Sequence, residues 1–246
     1  MRQGTALALV GGLVFVAVGI ATLPASLLVG RLPPELHADG VSGTVWNGGA
    51  DSISLRGAPL GAVSWSAEPG SLLHGELGYQ IEITRTDGFI RGHVAAALGG
   101  TLNLDHVDLA LPLAALSAMP NAAGWRGDFT GSIQSLRLEH GWPVALEGTF
   151  TTSAVRVPGS DLPIGSYAIE FDGRGNTPEQ LVGRVRDLEA PLLVRAQLLI
   201  KHDRSYGLDG DVTPRPGASP DVSQAVAFLG SPDSSGRRAF NITGTF

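Results

Sequence analysis

The stretch LPPELHADGVSGTVWNGGADSISLRG, residues 32–57, places five glycines and a tryptophan in a segment that otherwise alternates like a β-strand. A glycine inside a strand weakens it and marks a bulge, a bend or a close approach of another backbone. The rest of the chain repeats the combination many times. The glycines therefore predict a sheet whose shape depends on them.

The recurring pattern is an apolar residue, any residue, glycine, any residue, and an apolar residue. Because strand side chains alternate between faces, the glycine shares a face with both apolar residues and leaves a notch there. A row of notches lets a sheet curl tightly, or lets a neighbouring ring lie across it. The predicted rings are those of Trp46, Trp65, Trp125 and Trp142, and the predicted notches are Gly43, Gly75, Gly92, Gly100, Gly131, Gly148, Gly183, Gly210 and Gly244.

The secondary-structure signals are those of antiparallel strands with two short helices. Residues 78–85 and 102–111 alternate apolar and polar side chains, and the second stretch slips once near His106. Helices are predicted over Pro112–Met119 and over Pro220–Leu229, the latter with Ser219 as N-cap and Gly230 as its stop. We therefore predict a mainly β chain with a curved, glycine-rich antiparallel sheet.

A longer repeat relates two parts of the chain. Residues 43–65 and 148–169 align Gly43 with Gly148 and Leu60-Gly61 with Ile164-Gly165, at an offset of about 105 residues. This predicts two related halves, about 31–140 and 141–246. Glycine-rich strands also resemble one another by chance, so a chance similarity of the two stretches stays open as the alternative.

The N-terminus carries an uncharged run. Ala6–Leu23 is long enough, at about 1.5 Å per residue, to cross about 27 Å of hydrocarbon. Arg2 precedes the run and the charges at Arg31, Glu35 and Asp39 follow it, which favours a cytoplasmic N-terminus. We predict a transmembrane anchor within residues 1–30, in contact with lipid over residues 4–28, and an exported domain over residues 31–246.

The alternative for this segment is a cleaved signal peptide. Gly19 and Ala21 are small residues at the spacing that a signal peptidase requires. The apolar run continues through residues 25–29 without a polar cleavage region, so we favour the uncleaved anchor.

Composition argues against several functions. The formal net charge is −6 and no basic stripe is present, so nucleic-acid binding is not expected. The chain has no Cys, which excludes disulfides, thiolate metal sites and cysteine nucleophiles. It also lacks the spacing of a metalloprotease or a serine hydrolase. We predict a non-enzymatic protein without cofactor, metal site or catalytic residues, and the scattered histidines are His37, His74, His93, His106, His140 and His202.

The ordered set of motifs resembles the type II secretion system protein N family, general secretion pathway protein N. The set is an apolar anchor, LPASLLVGRLPPEL, SGTVWNGGA, LGAVSW and the terminal FLGSPDSSGRRAFNITGTF. The family positions carried over are Gly43, Thr44, Trp46, Gly48, Gly61, Trp65, Leu229, Gly230, Asp233, Gly236, Arg237 and Gly244.

The resemblance implies a single-pass inner-membrane protein with a periplasmic β-domain. Such a protein would assist the machine that exports folded proteins through an outer-membrane secretin, with other inner-membrane or secretin components as partners. It implies no catalytic or metal-binding residues. A second hypothesis, from the curved sheet alone, is an anchored periplasmic groove that binds lipid or another apolar ligand.

Overall fold

The computed structural model describes residues 19–30, 32, 34–97, 99–116, 123–159 and 163–245. Within them, residues 19–21 are helical, and there are two further α-helices, α1 (Ser26–Val29) and α2 (Pro220–Ala227), and two 3₁₀ turns, Pro69–His74 and Leu113–Leu116. The strands are β1 (Leu36–Asp39), β2 (Ser42–Gly43), β3 (Asn47–Leu55), β4 (Ala58–Glu68), β5 (Glu76–Arg85), β6 (Gly88–Ala97), β7 (Thr101–Pro112), β8 (Arg126–Glu139), β9 (Trp142–Arg156), β10 (Pro163–Asp172), β11 (Gln180–Asp187), β12 (Leu192–Lys201), β13 (Ser205–Pro214) and β14 (Arg238–Thr245).

All of these strands belong to one open antiparallel sheet. The spatial order is β1, then β3 through β14 in chain order, and the two-residue β2 pairs with β3 beside that path. Each strand of the meander therefore neighbours the next strand in sequence, and β1 and β14 are the two edges. The predicted mainly β, antiparallel class is confirmed.

Register separates the sheet into an apolar and a polar face, because directly opposed residues on neighbouring strands share a face. One apolar row crosses eleven strands without a polar residue: Val63, Ile83, Ile90, Leu109, Gly131, Phe150, Ile169, Val185, Ala196, Gly210 and Phe240. The adjacent row on the other face is polar throughout: Ser64, Glu82, Arg91, Asp108, Ser132, Thr149, Glu170, Arg184, Gln197, Asp209 and Asn241.

The core lies on the apolar face at the middle of the sheet. Its buried cluster comprises Val107, Ile133, Leu146, Phe171 and Leu181, of which Leu181 is only 1% exposed. Cα atoms of β9 and β11 come within 8 Å of each other, whereas strands two apart in a flat sheet are about 9.6 Å apart. The sheet is thus bent around β10, and apolar side chains of the core line the concavity.

A bulge keeps the apolar row continuous through β7. His106 has φ +52°, and the pairing of β6 with β7 shifts register between Arg91 and His93. The extra residue returns Leu104 and Val107 to the same face, where both belong to the core. The slip predicted near His106 is this bulge.

Seven of the nine predicted notch glycines lie where a Cβ atom would collide with a neighbouring strand, and all of these except Gly43 lie on the longer strands β6 to β14. A Cβ on Gly92 would lie 2.6 Å from Val107, one on Gly131 2.8 Å from the Phe150 ring, and one on Gly183 2.9 Å from the Phe171 ring. Gly148, Gly210 and Gly244 face Ser132, Ala196 and Tyr206 in the same way. Rings lie against three of these sites, those of Phe150, Phe171 and Tyr206, and no tryptophan does, so the prediction that tryptophans cover the notches is wrong there.

The notch prediction is wrong at Gly43, Gly75 and Gly100. All three have positive φ, and Gly43 is exposed in the two-residue β2. Gly75 caps the 3₁₀ turn Pro69–His74, and a Cβ at Gly75 or Gly100 would meet no atom within 4 Å. These glycines are needed because the backbone is left-handed there. The sequence pattern of a strand does not distinguish a glycine with this role from a notch glycine.

The second predicted helix is confirmed and the first is only a turn. The Ser219 hydroxyl accepts the N–H of Val222 at the start of α2, and the apolar side of α2 buries Val222 and Val226. The segment after β7 forms a single 3₁₀ turn, Leu113–Leu116, and residues 117–119 of that prediction lie outside the described residues.

The described residues contain no helix long and apolar enough to cross a membrane. The predicted span Ala6–Leu23 falls mostly on residues 1–18, outside the described residues. The two stretches of the longer repeat form the hairpins β3–β4 and β9–β10, and Gly61 and Gly165 both have positive φ beside register shifts. The division into two halves stays a prediction.

We predict that Gly210→Val destabilises the protein, whereas Gly207→Val on the same strand does not. A Cβ at Gly210 would collide with Ala196 and the Arg195 carbonyl, while one at Gly207 meets only Asp209 at 3.8 Å. Overpacking of this kind costs about 1–3 kcal/mol, and an open strand position accepts Val within about 0.5 kcal/mol. Equal melting temperatures for the two variants, followed by tryptophan fluorescence of the full chain, would contradict the close approach at Gly210.

Candidate functional site

The motif SGTVWNG, residues 42–48, folds into a tight loop between β2 and β3. Thr44 organises it, since its N–H donates to the Asn47 carbonyl at 2.8 Å and its hydroxyl accepts the Asn47 N–H at 3.1 Å. Gly43 has φ +85°, and a Cβ there would lie 2.5 Å from the Asn47 carbonyl oxygen. The loop therefore closes only with glycine at position 43.

Two tryptophan indoles donate hydrogen bonds that fix this loop. Trp65 on β4 donates its Nε1–H to the Thr44 carbonyl at 3.2 Å, and Gly48 leaves room for its ring, since a Cβ there would lie 2.7 Å from it. Trp46 donates its Nε1–H to the carbonyl of Ile20 at 2.7 Å. The first bond holds the loop to the sheet, and the second connects it to the C-terminal end of the apolar run.

The backbone of residues 20–25 is bonded to the same loop. Ala25 donates its N–H to the Gly43 carbonyl at 3.1 Å, Val45 donates to the Leu23 carbonyl at 2.9 Å, and Pro24 forms a bridge with Thr44. Ala25 is 1% exposed. We call residues 42–48 the linker dock, because they hold residues 20–25, at the C-terminal end of the apolar run, against the first strands of the sheet.

Gly61 shapes the strand that carries Trp65. It has φ +118° at a register shift between β3 and β4, and its missing side chain admits the Thr84 carbonyl. Arg85 binds the Pro59 carbonyl and, at 2.7 Å, the Asp87 carboxylate. The hydrogen bond from Arg85 lowers the pKa of Asp87, so this brace stays charged at neutral pH.

A second cluster of family positions forms the turn before β14. The Asp233 carboxylate accepts the N–H groups of Ser235 at 2.8 Å and Arg237 at 2.9 Å, and it also binds the Arg237 guanidinium. The backbone bonds to Arg237 and Ser235 lower the pKa of Asp233. Gly236 has φ +78°, and the Gly230 carbonyl accepts from Arg238 at 2.9 Å. This turn sets where the edge strand begins.

The structure thus gathers the predicted family positions into two places. Gly43, Thr44, Trp46, Gly48 and Trp65 meet at the linker dock, with Gly61 further along β4. The positions from Leu229 to Arg237 form the turn before β14, and Gly244 lies on β14 against Tyr206. Residues 20–25 also belong to the first cluster, but the sequence gives no sign of these bonds, because the residues contribute backbone groups.

An open cavity of about 620 Å³ lies on the apolar face, between β8, β9, β11 and β12. Leu136, Leu146, Phe150, Leu181 and Ile200 line it, and Trp142 stands at its rim. No single sequence motif predicts where this cavity lies, because the lining residues come from strands distant in sequence. Among the described residues no group of three or more His, Asp or Glu side chains is arranged to hold a metal ion.

The fold and these clusters define a two-faced β-sheet protein whose distinctive residues position backbone: one set holds an N-terminal linker, and the other places an edge strand. The family model for type II secretion system (T2SS), protein N, matches residues 34–241, so the chain belongs to this family.

Two curated relatives agree over nearly their whole length. The chain is 25% identical to "Type II secretion system protein N" of Vibrio cholerae serotype O1, covering 99% of each protein. It is also 25% identical to the protein of the same name from Aeromonas hydrophila, covering 96% of each. No solved structure matches the chain.

We predict that Trp46→Phe loosens the linker while the sheet stays folded, because the substitution keeps a ring and removes only the donor to Ile20. One such bond contributes about 1 kcal/mol, so amide protection at Ala25 and Val45 should fall about fivefold. Hydrogen–deuterium exchange of the full chain measures this. Trp125→Phe is the control, because the Trp125 indole makes no hydrogen bond among the described residues, and equal exchange in both variants would contradict the dock.

Proposed function

We propose that this chain is a non-enzymatic component of the type II secretion system. In this proposal the part of the predicted anchor, residues 4–28, that precedes residue 20 lies in the inner membrane, because residues 20–25 are bonded to the loop of residues 42–48. The sheet lies in the periplasm, and the chain assists assembly or operation of the export machinery. Membership of the protein N family supports the general role. The uncharged run before Arg31 supports the anchor and its orientation.

The observation that carries the proposal is the linker dock. Residues 20–25 are bonded to residues 43–46 by two backbone hydrogen bonds and by the Trp46 indole. If the membrane anchor ends just before residue 20, the β1 end of the sheet is therefore held beside the membrane. The sheet is then not attached through a loose linker. The sheet then extends away from the bilayer by up to about 58 Å, which is twelve strand spacings of about 4.8 Å.

The edge strand β14, at the far end of the sheet from β1, is a surface on which a secretion partner could dock. β14 pairs with β13 only, so along its other side its backbone donors and acceptors are unpaired within the described sheet. Ile242 is 50% exposed on this strand, and Phe228 and Leu229, just before its turn, are 84% and 47% exposed. An extended segment of another inner-membrane or secretin component would add to this edge as a further strand.

The apolar face favours a second candidate function. A row of apolar residues that crosses eleven strands, with an open cavity at its centre, is suited to bind lipid or another apolar ligand. Under this candidate the same anchor would place one end of the face at the bilayer.

The orientation is tested by a phosphatase fused after Phe246. We expect the reporter to be active and the full-length fusion to stay in the membrane fraction, because Arg2 favours a cytoplasmic N-terminus. A soluble, shortened product would show that the N-terminal segment is a cleaved signal peptide, and an inactive reporter would reverse the orientation.

The docking edge is tested by the matched pair Asn241→Pro and Ile242→Pro. Successive N–H groups of a strand point to opposite sides, so one proline removes a bond to β13 and the other removes a donor on the open side. The variant that keeps the wild-type melting temperature identifies the open side. We expect that variant to lower secretion of the system's substrates at normal abundance.

The melting temperatures also separate docking from stability. The other proline variant should lose stability, and its secretion defect would follow its abundance. Normal secretion by a stable variant with proline on the open side would contradict docking at β14.

A further inference from the structure

The cavity on the apolar face has a polar rim at one end. The rim is formed by the turn between β8 and β9, with His140 and Trp142, and by the turn between β12 and β13, with His202 and Arg204. Chain direction places both turns at the same end of the sheet. We call these four residues the headgroup cluster.

The headgroup cluster contains hydrogen-bond donors and no carboxylate that could accept from them. Among the described residues that line the cavity, none is acidic. The Trp142 indole N–H is buried, and no acceptor lies within hydrogen-bond distance among the described residues. The His202 ring packs edge-on against the Trp142 ring, with centroids 5.1 Å apart. A buried donor without an acceptor costs free energy unless a ligand or water supplies one.

The carboxylates near the cluster are engaged elsewhere. Asp203 accepts the backbone N–H and the hydroxyl of Ser205, Glu139 pairs with Arg137, and Glu179 accepts the hydroxyl of Thr177. The Arg204 guanidinium forms no ion pair among the described residues and is exposed at the rim. A positive charge therefore stands at the mouth of an otherwise apolar cavity.

We propose that this cavity binds a single-chain amphiphile with an anionic head, a long-chain carboxylate, with its head at the headgroup cluster and its chain among Leu136, Leu146 and Ile200. Arg204 binds the head as a fork of donors, and the indole and imidazole N–H groups complete its shell. The volume of about 620 Å³ falls in the range of single small-molecule sites. The inference rests on the second candidate function, the apolar face as a ligand site.

The test uses the full chain in phosphatidylcholine nanodiscs and palmitic acid that carries a diazirine in its chain. After illumination, labelled peptides should come from β8, β9 and β12. Arg204→Gln should reduce labelling at low probe concentration about tenfold, the scale of losing a hydrogen bond to a charged group. Arg56→Gln is the matched control, because Arg56 is also an exposed turn arginine with positive φ, +51° against +64° for Arg204. Labelling of the control should equal that of the wild type.

Two further probes test the chemical class. The same chain as a neutral alcohol should label the cavity about tenfold less, and equal labelling would overturn the anionic head. A diazirine-bearing phosphatidylglycerol that labels the cavity more strongly than the palmitate would overturn the single chain. Equal labelling of the Arg204→Gln protein and the wild type would also overturn the proposal.

The position of the label separates this inference from the groove function. If label is found on β4 to β6 and none in the cavity, the apolar face still binds an apolar ligand. The proposed headgroup site is then overturned. Label on no strand of the sheet would overturn both. The proposed role in secretion is measured independently by exoprotein in the medium.

Discussion

Strand alternation in a single layer is the constraint on which the rest of the structure depends. Every strand from β4 to β14 contributes an apolar residue to the row that includes Leu109, Phe150 and Ile169, yet no second sheet covers that row in the described residues. A flat sheet would leave the whole row in water, at a cost that grows with its area. The sheet instead bends around β10, and residues such as Leu181 become buried by their own neighbours.

The notch glycines make that bend sterically feasible. At Gly131 and Gly183 the side chain that would have stood on the apolar face is replaced by the ring of Phe150 or Phe171 from the adjacent strand. Those two rings also meet edge to face, with centroids 6.0 Å apart. Glycine lowers the intrinsic strand preference at each site, and the packing of a ring across it offsets that loss. Curvature and core packing therefore depend on the same residues.

Much of this fold could be predicted from the sequence, because alternation and turn glycines are local signals. The bulge at His106 and helix α2 with its Ser219 cap appear in the chain as a slip in period and a capping residue. The role of Gly75 and Gly100 was missed, since a glycine needed for positive φ has the same neighbours as one that admits a ring. The bonds from residues 20–25 to the linker dock were also missed, because they join backbone groups and leave no side-chain pattern. The cavity at Trp142 depends on how four strands converge, which no single segment encodes.

The family motif SGTVWNG gains a physical meaning from the position of its bonds. A hydrogen bond from Trp46 to Ile20 and one from Trp65 to Thr44 form a chain of contacts from the N-terminal linker, through the loop, to β4. Each link needs a glycine beside it: Gly43 for the loop, Gly48 for the Trp65 ring, and Gly61 for the course of β4. Loss of one link would leave the sheet folded but free to swing on its linker. A meander has a first and a last strand, so fixing the first strand also fixes the direction in which β14 and the open mouth of the cavity are presented.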